Sequence, residues 1–128
     1  MTTPKKKRPK QSYLTRKADE AFSKFIRQRD GFCQSGRSLS VGCKGQYALQ
    51  CAHGFGRAAF STRWDERNAW ALCQACHVFY THRPTEWTIW MEERLGLDLY
   101  LELRELSLKP WKGDKVAIAT HYKEQLAA

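Results

Sequence analysis

The sequence predicts a small α+β domain stapled by a metal, with flanking helices and a basic arm at its N-terminus. Three observations point there. Cys73 and Cys76 are two residues apart in LCQACH, and Cys33 and Cys43 lie upstream with nine residues between them. Gln46–Ala52 alternates in the manner of a short strand, with Tyr47, Leu49 and Cys51 on one face, and Asn68–Leu72 is a second short strand able to pair back on it. Helical spacing dominates the rest. At 128 residues the chain suits one domain, and a core of that size gains from a crosslink or a metal.

Residues 1–14 form the arm. Lys5, Lys6, Lys7, Arg8 and Lys10, with Arg16 and Lys17 just beyond, supply seven of the net nine positive charges without an acidic residue among them, and Pro4 and Pro9 discourage a helix. A charge of +9 favours a polyanionic partner, nucleic acid before an anionic membrane. The arm then reads as a tether to DNA phosphates, against the plainer reading of a solubilising tail. No apolar run is long enough to span a bilayer, and no apolar stretch follows the charged N-terminus as in a secretory signal. A cytoplasmic location follows as the expectation.

Residues 15–29 are expected to be helical, because Ala18, Phe22, Phe25 and Ile26 make one apolar stripe and Asp30-Gly31 is a stop. Phe32–Gly45 is loop-like, and residues 54–66 form a second loop carrying Arg57, Arg63 and Trp64. Gln74–His82 is a short helix ended by Arg83-Pro84. Thr85 is expected to cap a helix over 86–95, with Trp87 and Trp90 as core aromatics or, alternatively, base-stacking ones. Asp98–Ser107 fits a helix but also alternates like a strand; its leucines pack on the domain's own core or supply the face of a homodimer. Asp114 caps a last helix to about Leu126, and residues 97–128 form a helical extension packed on the same domain.

Zinc prefers four tetrahedral ligands, with thiolates as its structural donors. An odd count of five cysteines that includes a CxxC favours such a site over a disulfide framework. Cys73 and Cys76 make one half, and Cys33 and Cys43 complete it, with Cys51 a competing fourth ligand expected to point into the core.

The segments RDGFC, QCAHGFGR and TRWDERNAWALCQACHVFYTHRP together resemble the HNH, or ββα-metal, endonucleases, and within them the zinc-containing phage NinG/Rap-like recombination nucleases. The resemblance covers roughly residues 25–96, with the endonuclease domain placed over 15–96. It implies that His53 is a general base, that Asn68 fixes the imidazole and the hairpin, and that His77 ligates a catalytic divalent ion such as Mg2+, distinct from the structural zinc. The position before the base, often a metal ligand in that family, is Ala52 here. His53 itself, His82 or Asp65 are the candidates to replace it. Arg57 matches a basic position after the base histidine and, with Arg63, is expected to grip phosphate. The implied setting is phage DNA recombination on branched or single-stranded intermediates in a bacterial host, alongside recombination proteins. The competing expectation is a zinc-stabilised DNA-binding module without catalysis.

Overall fold

The computed structural model describes residues 10–128. Lys5, Lys6, Lys7 and Arg8 lie outside them. Over the described residues the chain is α+β, with one two-stranded antiparallel sheet and six α-helices in the order α1 (Gln11–Asp30), β1 (Leu49–His53), α2 (Phe60–Arg63), β2 (Ala69–Cys73), α3 (Gln74–Thr81), α4 (Pro84–Leu95), α5 (Leu97–Ser107) and α6 (Lys115–Ala127).

Helix α1 starts four residues earlier than the apolar stripe predicts, so Gln11–Leu14 belong to it and not to a flexible arm. Its buried face is Ala18, Ala21, Phe22 and Ile26. Gly31 ends it at φ 72°, a left-handed cap that glycine adopts without steric cost, and its N–H closes onto Arg27 O. Across this face lies α6: Tyr122 packs its ring on Phe22 and Phe25 at 5.0 Å each and donates its hydroxyl to Trp64 O.

The strands are shifted from their expected positions. β1 begins at Leu49 rather than Gln46 and takes in His53, while β2 starts at Ala69, after a 3-10 turn over Glu66–Asn68. The register pairs Leu49 with Cys73, Cys51 with Ala71 and His53 with Ala69. Opposed residues share a face. Leu49, Cys51, Ala69 and Ala71 therefore meet α1 in one apolar cluster, while Ala52 and Leu72 join a second cluster with Cys33, Cys43, Cys73 and Cys76.

Helix α3 follows β2 without a linker. Pro84, not Thr85, sets the start of α4, occupying the first turn where its missing N–H is no loss. Trp87 and Trp90 stack at 4.8 Å and meet Trp70 edge-on, which makes them core aromatics. The segment 97–107 is a helix; Leu103 is fully buried, while Leu97, Leu101 and Leu108 are exposed. Asp114 caps α6 by accepting from Val116 N–H. Among the described residues no helix is long and apolar enough to cross a membrane.

Candidate metal centre and histidine cleft

The Sγ atoms of Cys33, Cys43, Cys73 and Cys76 all lie within 4.8 Å of one another, and all four residues are buried. Sulfurs around a tetrahedral zinc at the usual bond length are about 3.8 Å apart, so a small inward movement would seat one ion. The donor set fits a metal such as zinc. Cys43 is the fourth member. Cys51 points to the α1 side of the sheet, where burial pushes its thiol up to about 12 and keeps it protonated.

Local structure explains the convergence. Cys73 is at once the last residue of β2 and the N-cap of α3, so its sulfur accepts from Cys76 N–H at 3.4 Å. Lys44 N–H donates to the same sulfur at 3.3 Å. Burial opposes ionisation of Cys73, but these N–H groups outweigh it and bring the thiol down to about 7. The loop 31–48 closes on itself through Cys33 N–H on Gly45 O and is tied to the hairpin by Gln34 N–H on Ala71 O. Ser35 Oγ and Arg37 Nη1 donate to Cys76 Sγ at 3.3 and 3.2 Å. Arg37, seated over the Phe79 ring at 3.7 Å, thus puts a positive charge beside the sulfur cluster. Sequence reasoning missed Ser35 and Arg37, whose partners are about forty residues away.

His53 and His77 line one cleft of about 200 Å³, with Ala52, Gly54, Leu72 and Trp87. His53 Nε2 lies 2.8 Å from Arg63 O. A carbonyl only accepts, so Nε2 carries the hydrogen and Nδ1 holds the lone pair. Nδ1 has no partner among the described residues, and none of their side-chain nitrogens is both shut off and unpartnered, so this nitrogen opens outward. Burial lowers the His53 pKa to about 4, opposed by the Arg63 carbonyl, and the ring is neutral at pH 7. His77 is the mirror case. Its Nδ1–H donates to Gln50 Oε1 at 2.7 Å, which leaves the Nε2 lone pair outward, and burial also lowers its pKa. Gln50 was not anticipated, although period-two alternation on β1 places it beside Cys51 on the opposite face.

Asn68 is fully buried and makes no hydrogen bond to His53. Its Oδ1 accepts from Phe55 N–H, and its Nδ2 donates to Phe55 O and Thr62 O. Those three bonds fix the loop whose next carbonyl, Arg63 O, holds the His53 ring. The chain passes very close here: a Cβ on Gly54 would run into Met91 Sδ and Asn68 Oδ1.

The other expected site residues are placed differently. Arg63 and Arg57 both bond Asp19: Arg63 Nε and Nη2 reach its two oxygens at 3.0 and 2.6 Å, and Arg57 Nη2 reaches one at 2.9 Å. Trp64 Nε1–H adds a fourth bond at 3.0 Å. Burial would raise the Asp19 carboxyl, but the two arginines outweigh it and hold its pKa below the usual range. The Arg63 side chain is half-buried in this pair and is not free for phosphate. His82 is exposed at the C-terminal cap of α3 and does not line the cleft. Asp65 caps the 3-10 turn and pairs with Arg67, not Arg63. Lys10 is exposed at the N-cap of α1.

Among the described residues, the four cysteines are the one group of three or more His, Cys, Asp or Glu side chains close enough to share an ion. The cleft has no carboxylate in its lining. Mg2+ is a hard ion that seeks oxygen ligands, so the expectation of a protein-held Mg2+ does not fit this donor set; imidazole suits zinc, nickel or iron. Comparison with protein-family models, with curated proteins and with solved structures returns no match.

Proposed function

We propose that this protein is a metal-dependent DNA endonuclease of the HNH type, with zinc on the four cysteines as its structural staple and His53 as its general base. The observation that carries the reading is the His53 ring: neutral, packed on Phe22 at 5.8 Å, with Nε2–H fixed on Arg63 O and Nδ1 without a partner among the described residues, in a residue that lines the same cleft as His77. A water on Nδ1 gives up a proton as its oxygen attacks phosphorus. The bond from phosphorus to the 3′-oxygen then breaks, and the departing alkoxide takes a proton from solvent water, leaving a 5′-phosphate and a 3′-hydroxyl. The proton stays on the imidazole, and Arg63 O stabilises the resulting cation through Nε2–H. A divalent ion that accepts imidazole, bound at His77 Nε2, would neutralise charge on the phosphate. Asn68 acts as a positioning residue through the loop. DNA as partner is supported by the charge of +9, and phage recombination as setting by the resemblance of RDGFC, QCAHGFGR and the CxxCH segment.

The test is nicking of supercoiled plasmid and of branched and single-stranded DNA, with Mg2+, Mn2+, Ni2+ or Zn2+. His53→Ala is expected to lower the rate by about 10²–10⁴-fold. Equal cleavage by both proteins, or none by the wild type with any metal, overturns the reading. A second reading, a zinc-stabilised DNA-binding module without catalysis, is favoured by Ala52 and by the missing carboxylate in the cleft. It expects binding without cleavage in the same assay.

A further inference from the structure

Beside the histidine cleft runs a larger groove, about 710 Å³, between α1 and β1. Its α1 wall is made of two adjacent rows at i, i+4 spacing: Ser12, Arg16, Glu20 and Lys24 in one, Thr15, Asp19, Ser23 and Arg27 in the other. Every one of these side chains is polar or charged, while the opposite face of the same helix is the buried apolar stripe. With Arg57 and Arg63 from the loop, the groove has five cationic side chains against the two carboxylates Asp19 and Glu20, a net of three positive charges. The carboxylates are already engaged: Asp19 by Arg63, Arg57 and Trp64, and Glu20 by Lys17 at 3.4 Å and Arg16 at 3.8 Å. Lys24 and Arg27 make no ion pair with any described residue. Arg57 gives Asp19 one nitrogen and keeps its Nε and Nη1 without a partner among them.

The groove and the cleft share a single lining residue, His53. Gln50, which lines the groove, holds His77, which lines the cleft. Both imidazoles are therefore wired to one channel. No Phe, Tyr or Trp side chain lines that channel, and its donors suit phosphate. From Ser12 to Arg27 the helix runs about 22 Å, the length of about six phosphates along one duplex strand.

We infer that the α1–β1 groove is the track for one sugar–phosphate strand of nucleic acid, with Lys24, Arg27 and Arg57 on its phosphates and His53 at its end. The inference deepens the nuclease reading and rests on it for the role of His53. Bases stay outside the track, so binding is indifferent to base sequence.

Binding is measured apart from cleavage, on the zinc-loaded full chain with no other divalent ion, by fluorescence anisotropy of labelled single-stranded and duplex oligonucleotides in two unrelated sequences. Lys24→Glu/Arg27→Glu is expected to weaken binding at least about tenfold at 0.1 M salt and to flatten the log–log salt slope by about 1.4–1.8. The milder Lys24→Gln, with an unchanged circular dichroism spectrum, should flatten it by about 0.7–0.9. The control Lys109→Glu/Lys112→Glu alters two exposed residues outside the groove and should change the slope by less than about 0.7, the loss of one phosphate contact. The DNA form that binds tighter tells whether the strand enters alone or as part of a duplex. Wild-type binding by the groove variants, or equal loss in the control, overturns the track. Unchanged binding with His53-dependent cleavage intact sinks this inference alone; groove-dependent binding without any cleavage sinks the nuclease reading alone.

Discussion

Four sulfurs at one end of α3 converge on each other, whereas the two imidazoles nearby each bond a neutral oxygen of the protein and turn their second nitrogen away from it. The cysteine cluster is assembled from the loop 31–48, β2 and α3, and needs only an ion at its centre. The histidine cleft is half a site: His53 and His77 have fixed tautomers but no third ligand-type side chain. The contrast separates two tasks. On the proposed reading, the cysteine centre closes on itself as a staple, and the histidine cleft keeps its lone pairs for something that arrives from outside.

Removing metal should break the contrast most severely. Chelation, or Cys73→Ser, is expected to cost on the order of 10 kcal/mol and to unfold the hairpin region, read by circular dichroism together with a zinc content falling from one per chain to none. Retained folding without metal would make the cluster a set of buried thiols.

His53→Ala comes next for function and leaves the fold in place, with the loss of cleavage given above. Asn68→Ala acts on the fold instead. Three buried hydrogen bonds are lost and their partners are left bare, so a destabilisation of about 3 kcal/mol is expected, seen as a lower midpoint in urea or heat. An unchanged midpoint would show that the loop holds itself.

The pH dependence sharpens the cleft side. The folded His53 pKa of about 4 lies below the ordinary 6.5, so the unfolded chain takes up a proton at this ring before the folded one does. The stabilisation is fully present above pH 6.5 and is lost as pH falls from there to about 4. His53→Gln should remove that part of the slope, measured by urea unfolding at several pH values. The smallest effect is expected at Cys51→Ser, which changes one buried thiol on the α1 side of the sheet: zinc stoichiometry stays at one per chain.

Much of this was legible because it is local or carried by spacing. The CxxC, the apolar stripe of α1, and the caps at Gly31 and Asp114 each depend on a few neighbouring residues. Cys43 was preferred over Cys51 because alternation on β1 sent Cys51 inward. The ambiguous LDLYLELREL became a helix because Leu103 finds a buried place on α5, and alternation alone cannot see such packing. What sequence could not give was long-range polar pairing. Nothing around Asp19 marks it as the partner of arginines 38 and 44 residues away, so Arg63 read as a free phosphate ligand. The 3-10 turn over Glu66–Asn68 likewise moved β2 by one residue and buried the Asn68 side chain under the loop.

The account joins the cysteine staple to the chemistry of one ring, and nitrogen-detected NMR of the histidines tests that joint directly. Zinc-loaded protein at pH 7 is predicted to show His53 protonated at Nε2 alone and His77 at Nδ1 alone, with both patterns collapsing to the ordinary mixture when zinc is withdrawn. A His53 protonated at Nδ1, or a pattern indifferent to zinc, would contradict it.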